Sequence, residues 1–155
     1  MVDVSAPTAR VPLPLLSALS RSKAALGAMS AALRLELAAW NIPVIVVEPG
    51  STATDIFAKA EKNAGAALAL ADPQQVARYA RHLAAAAKAQ AALRPAPPDA
   101  AARTVLKALR SANPRRHYVV PGDARLAGVL QRLPAGLRET LIARTLGLAK
   151  IGAQS

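Results

Sequence analysis

Apolar and polar positions follow two different periods along this chain, and the changes of period mark its elements. From Ser17 to about Ala39, Leu19, Leu26, Met29, Leu33 and Leu37 recur at three-, four- and seven-residue intervals in an Ala-rich stretch without Pro, which predicts one long helix. Asn41 suits a left-handed cap at its end, and Pro43 prevents it from resuming. Pro43–Val47 then reads PVIVV, a β-branched run too short for a helix and without polar alternation. That is the pattern of a strand buried on both faces of a parallel sheet. Met1–Val4 alternates weakly before Pro7, Pro12 and Pro14, so strand, helix and strand predict a right-handed βαβ unit and an α/β fold.

Later elements are set by caps and prolines. A short helix is expected near Ile56–Asn63. A longer one runs from Pro73 to Leu93 behind Asp72 as N-cap, and a third is capped by Asp99 and reaches about Ser111. His117–Val120 reads as a last strand. Asp123–Leu133 and Leu137–Leu148 read as two amphipathic helices separated by Pro134 and Gly136.

Composition narrows the class. The chain has 155 residues, 53% of them hydrophobic and 19% charged, which predicts one globular domain over 1–155 rather than a disordered tail. With no Cys, and with only His82 and His117 as imidazole ligands, a structural metal is not expected. No apolar run reaches the roughly 18–20 residues that a membrane span needs, and no export signal opens the chain, so a cytoplasmic protein is expected. Of the net charge of +11, most lies late: residues 101–155 hold ten basic and two acidic side chains. These are mostly single Arg residues among apolar positions, with only Tyr118 as a stacking platform, which argues against nucleic acid and for solvated helix faces. Contact of Leu126–Leu133 and Leu137–Leu148 with an anionic membrane surface is a weaker expectation.

The chemistry concentrates around Glu48-Pro49-Gly50-Ser51-Thr52-Ala53-Thr54-Asp55, at the carboxyl end of the buried strand, where open α/β sheets bind ligands. Taken with Ser20-Arg21-Ser22-Lys23-Ala24-Ala25-Leu26 and Leu33-Arg34-Leu35-Glu36-Leu37-Ala38, this stretch resembles the C-terminal half of the short-chain dehydrogenase/reductase family. The segment Arg116 to Leu126 is similar to the last strand and tail of members acting on retinol-like and 17β-hydroxysteroid substrates. The resemblance implies a partial Rossmann-like, doubly wound parallel sheet of about three strands. Residues 1–55 would carry the strand, Lys helix, strand and PG loop, and 56–155 the substrate-side helices, last strand and basic tail. It further implies NAD(P) as cofactor and hydride transfer between the nicotinamide and an apolar secondary alcohol or ketone.

The resemblance assigns residues one by one. Lys23 takes the place of the family's catalytic and ribose-binding lysine. Pro49 and Gly50 form the turn, the Thr52 backbone faces the carboxamide, and the Thr54 hydroxyl completes the nicotinamide side. The proton-exchanging phenol should stand four residues before the lysine, on the same helix face, but Leu19 is there. The substrate-orienting serine falls on Ala6, and the neighbouring Ser5 points to the other face of the strand. The family's glycine-rich phosphate loop has no match, because Met1 falls where the fifth strand of that sheet would be. A truncated chain, inactive alone and weak toward an intact cofactor, is the expectation.

The alternative reading is a non-catalytic interaction module. It would self-associate through the Ser17–Ala39 helix by its Leu26, Met29 and Leu33 stripe with Ala25 and Ala28, or accept an N-terminal half from another chain at the edge of Met1–Val4. Arg34 and Glu36 are expected on the solvated helix face, Asp3 shows no partner, His82 is expected in solvent, and His117 is read as structural.

Overall fold

A computed structural model describes residues 1–120 and 124–151. In chain order its strands and helices are β1 (Val2–Val4), α1 (Ser17–Glu36), β2 (Ile45–Glu48), α2 (Ile56–Ala69), α3 (Pro73–Ala91), α4 (Pro98–Arg110), β3 (His117–Val119), α5 (Ala124–Leu130) and α6 (Ala135–Thr145). They form two compact units. One comprises Met1–Thr52 and Arg94–Pro134, and the other comprises Ala53–Leu93 with the described residues from Ala135 onward.

The first unit contains the sheet, in the order β1-β2-β3 with both pairings parallel. Val2 lies opposite Ile45, Val4 opposite Val47, and Val47 opposite Tyr118. Because side chains alternate along a strand, each strand serves both faces. Val2, Ile45, Val47, Tyr118 and Val120 point to one face and pack with Ala101, Val105 and Ala108 of α4. Asp3 points to the other, where Ser30 of α1 donates to it. Helices therefore cover the parallel sheet on both faces, the doubly wound arrangement that an unbroken β-branched strand requires.

Several boundaries move for identifiable reasons. β2 starts at Ile45 rather than Pro43, because Pro has no N–H for the ladder, and it extends to Glu48, whose carbonyl accepts from the Val120 N–H at 3.0 Å. α1 ends at Glu36 and tightens into the 3-10 turn Leu37–Trp40, which Asn41 closes in the left-handed region at φ 54°. α4 begins one residue before Asp99. That residue therefore sits inside the first turn, where its charge suits the helix dipole, and is not the cap. The Asp123 start expected for α5 lies outside the described residues, and the helix runs Ala124–Leu130 rather than to Leu133.

The second unit is helical. α3 starts as expected, with the Asp72 carboxylate accepting from the Gln74 N–H at 2.8 Å. α2 continues past Asn63 to Ala69, since an Ala-rich helix tolerates the one Gly65. α6 runs Ala135–Thr145 rather than to Leu148. Behind it Gly147 takes a left-handed φ of 71° and leads into the 3-10 turn Leu148–Lys150. None of α2, α3 and α6 has a fully buried residue. His82 of α3 is not simply solvated: its ring lies 5.4 Å from that of Tyr79, and its Nδ1 is buried without a hydrogen bond.

Candidate functional site

Parallel pairing of β1 and β2 brings their carboxyl ends to the same end of the sheet, and two groups of side chains gather there. The first is the set expected from the sequence. Lys23, on the second turn of α1, reaches back over β1 and donates from Nζ to the carbonyl of Val4 at 2.9 Å. One turn earlier Leu19 is partly exposed and offers no proton. Of the nearby hydroxyls, Ser22 Oγ donates to the Leu19 carbonyl at 2.9 Å, and Ser20 Oγ is buried without a hydrogen-bond partner. Tyr118 cannot replace the phenol. It packs against the core, and its hydroxyl accepts from the Arg115 N–H at 3.0 Å.

Beyond β2, Pro49 and Gly50 turn the chain. Thr52 Oγ1 folds back to donate to the Gly50 carbonyl at 3.0 Å. The loop is pinned from the far side, because the Ala96 N–H donates to the Ser51 carbonyl at 2.9 Å and Thr52 bridges Ala96 in parallel. Thr54 belongs to the second unit, where its Oγ1 accepts from the Ile56 N–H at 3.5 Å, just before α2.

The second group was missed in the sequence. Glu48 closes an otherwise apolar strand and is 1% exposed. A carboxylate in that position is costly unless it is paired and hydrogen-bonded. Arg10, just after the 3-10 turn Pro7–Ala9, supplies the pair. Its Nε donates to Glu48 Oε1 at 3.0 Å, and its Nη2 binds Oε2, the two-point fork that guanidinium makes with carboxylate. His117 Nε2, from β3 on the same sheet face, lies 3.2 Å from Oε2. Arg10 Nη1 also donates to Gln131 Oε1 at 3.0 Å, beyond the end of α5. Burial pushes the Glu48 carboxyl up. Hydrogen bonds from His117 and Arg10, together with the Arg10 charge, outweigh that and hold it below the ordinary glutamate range. One carboxylate thus ties the segment after β1, the end of β2 and the start of β3 directly in front of Pro49. The available signal was physical: a buried strand ending in Glu demands a cation elsewhere in the chain.

Two further assignments change. Asp3 has a partner, since Ser30 Oγ donates to its Oδ2 at 2.7 Å. Arg34 is not a solvated residue but donates from Nε to the Val44 carbonyl at 3.0 Å. The inward side of α1 thus carries polar side chains beside the half-buried Leu26 and Leu33, with Lys23 and Ser30 bonded to β1 and Arg34 to the segment leading into β2. The apolar Met29 and Leu35 point outward, 61% and 82% exposed.

Comparison with known proteins agrees with this fold. Residues 1–65 match the family model described as short chain dehydrogenase. The chain is similar to estradiol 17-beta-dehydrogenase 2 of Rattus norvegicus, with 38% identity over 56 residues, which is 36% of this chain and 15% of that protein. Among solved structures it resembles a short-chain dehydrogenase from Streptomyces avermitilis, at a TM-score of 0.62 and 22% identity, over 98% of this chain and 50% of the other. The chain thus spans a small part of the curated relative and half of the structural one.

Proposed function

We propose, from the premise that this chain belongs over its first 65 residues to the short chain dehydrogenase family, that it is the nicotinamide-side half of an NAD(P)-dependent oxidoreductase acting on an apolar secondary alcohol or ketone. One observation carries the reading. The βαβ unit sets the Lys23 ammonium at the carboxyl end of β1, and the Pro49–Gly50 turn leaves the carboxyl end of the adjacent parallel strand. That is the end at which α/β sheets take nucleotides.

The residues present fit the nicotinamide end of such a cofactor in part. An ammonium has three N–H donors, and Lys23 gives one to Val4. The other two suit ribose hydroxyls, and the Thr52 backbone is the group the family resemblance sets toward the carboxamide. When bound, the cofactor supplies or accepts the hydride. Lys23 would orient the ribose, and the Arg10–Glu48 clasp would hold the loop that follows. Leu19 can neither hold nor move a proton, so turnover by this chain alone is not expected.

Titration of the protein with NADH and NADPH, followed by nicotinamide fluorescence, tests this. The expected result is binding weaker than about 100 μM, roughly 5.5 kcal/mol, that disappears in Lys23→Met. Saturation tighter than that would refute a half-site, and no binding at millimolar nucleotide would refute the nicotinamide reading itself.

A second reading has its own support. With Leu26 and Leu33 of the expected stripe half-buried, the outward face of α1 carries Met29 and Leu35 with Ala25 and Ala28, all exposed. Self-association through Ser17–Ala39 would bury them, whether or not the site binds nucleotide.

A further inference from the structure

Arg10 divides its guanidinium between two elements. Nε and Nη2 are taken by the two oxygens of Glu48, whereas Nη1 donates to Gln131 Oε1 at 3.0 Å. The three nitrogens lie in one rigid plane, so the direction of Nη1 and the seat of the fork on Glu48 cannot change independently. Gln131 is itself held in place. Its N–H donates to the Ala127 carbonyl at 2.9 Å, which carries the ladder of α5 one residue further. α5 is seated by the buried Ala124 and Ala127, and a methyl group at Gly128 would stand 3.6 Å from Arg10 Nη1. The helix thus meets the guanidinium at two points, by close approach and by a hydrogen bond from its end. On the other side of the fork, Glu48 is joined directly to Pro49, whose ring fixes its own φ. A shift at Glu48 therefore passes into the turn.

We propose that Gln131 is a positioning residue for the Pro49–Gly50 turn, acting through Arg10 and Glu48 and so linking the end of α5 to the candidate site. The inference deepens the nucleotide reading and rests on it for its consequence, because that turn is the part of the site that follows β2. Gln131 acts by geometry alone. Its amide oxygen fixes the third nitrogen of the guanidinium, and the plane of the guanidinium then fixes where the Glu48 carboxylate sits. Gln131 is exposed, so water takes over Nη1 when the amide is removed. The clasp therefore survives that loss but is held less sharply, and the effect falls on the orientation of the turn rather than on stability.

The test compares wild type, Gln131→Leu and Gln131→Glu. Exchange of the Arg10 Nε–H and the chemical shift of the Gly50 amide are read by NMR without nucleotide, and NADH titration and urea denaturation follow. Gln131→Leu is expected to speed Nε–H exchange about threefold, to move the Gly50 amide and to weaken NADH about threefold, with an unchanged urea midpoint. Gln131→Glu keeps an acceptor oxygen at the same reach and should restore all three. Wild-type Nε–H exchange and Gly50 shift in Gln131→Leu overturn the proposal, as does a Gln131→Glu that behaves like Gln131→Leu. A urea midpoint that falls along with these changes marks a merely structural contact and overturns it too. Equal NADH affinity in wild type and Gln131→Leu overturns the link to the site. If wild type binds no NADH, the nucleotide reading fails by itself, and the two nucleotide-free measurements still decide whether Gln131 sets the turn.

Discussion

Arg10→Met is expected to destabilise the fold by about 3–5 kcal/mol, because it removes one partner of a buried ion pair and leaves the other charge in place. Glu48 is enclosed at the end of β2, and without the guanidinium fork its carboxylate would keep only the His117 contact. Replacing both residues by apolar ones, Arg10→Met with Glu48→Leu, should recover more than half of the loss, since no uncompensated charge then remains. Urea denaturation of the two variants and the wild type checks this. If the double variant is no more stable than Arg10→Met alone, the clasp is not the reason for the loss.

The same clasp has a pH signature whose sign follows from the lowered Glu48 value. A carboxyl depressed in the folded state binds fewer protons there than in the unfolded chain, so its contribution rises with pH. It is complete above the ordinary glutamate range, about pH 4.3, and is lost as pH falls through the depressed value. The stability gap between wild type and Arg10→Met should therefore be constant near neutrality and shrink in acid. A gap that widens in acid would contradict the assignment.

Ile45→Ala is expected to cost about 2–5 kcal/mol by loss of buried methyl groups and the cavity left behind. The reason it ranks so high is the small size of the core. Ile45, Val47, Ala108 and Val120 make up its buried centre, with Val2, Ala100, Ala101, Val105 and Tyr118 around it. Against a typical total of about 5–15 kcal/mol, one such loss is a large fraction. Leu35→Ala, at the exposed face of α1, serves as control and should change stability by no more than about 0.5 kcal/mol. Equal urea midpoints for the two variants would show that the sheet–α4 interface is not where the stability resides.

Much of the fold was legible because the signals were local. The spacing of Leu26, Leu33 and Leu37, the run Ile45-Val46-Val47 and the pair Asp72-Pro73 each state a backbone preference without reference to distant residues. The places of Lys23 and the Pro49-Gly50 turn in the fold were legible for another reason: each sits in a short local stretch, one on the long helix and one directly after the buried strand, whose order can be read directly. What failed was the direction of polar side chains. Arg34 and Asp3 look solvated by their residue type, yet each has its partner on an adjacent element. His117 was read as structural, but nothing in its neighbours Arg116 and Tyr118 names Glu48 as what it contacts.

The amino-acid order by itself determined the helices, the central strand, the βαβ unit and the absence of a phenol at position 19, because these depend on periodicity, propensity and the identity of one residue. Only the tertiary structure decided that Glu48 meets Arg10 and His117, that Lys23 reaches the Val4 carbonyl, and that Ser30 and Arg34 of α1 turn to Asp3 and Val44. Pairings between residues tens of positions apart depend on strand register and on which side of the sheet each element crosses. Electrostatics demands that a buried charge find a partner, but not where along the chain that partner stands.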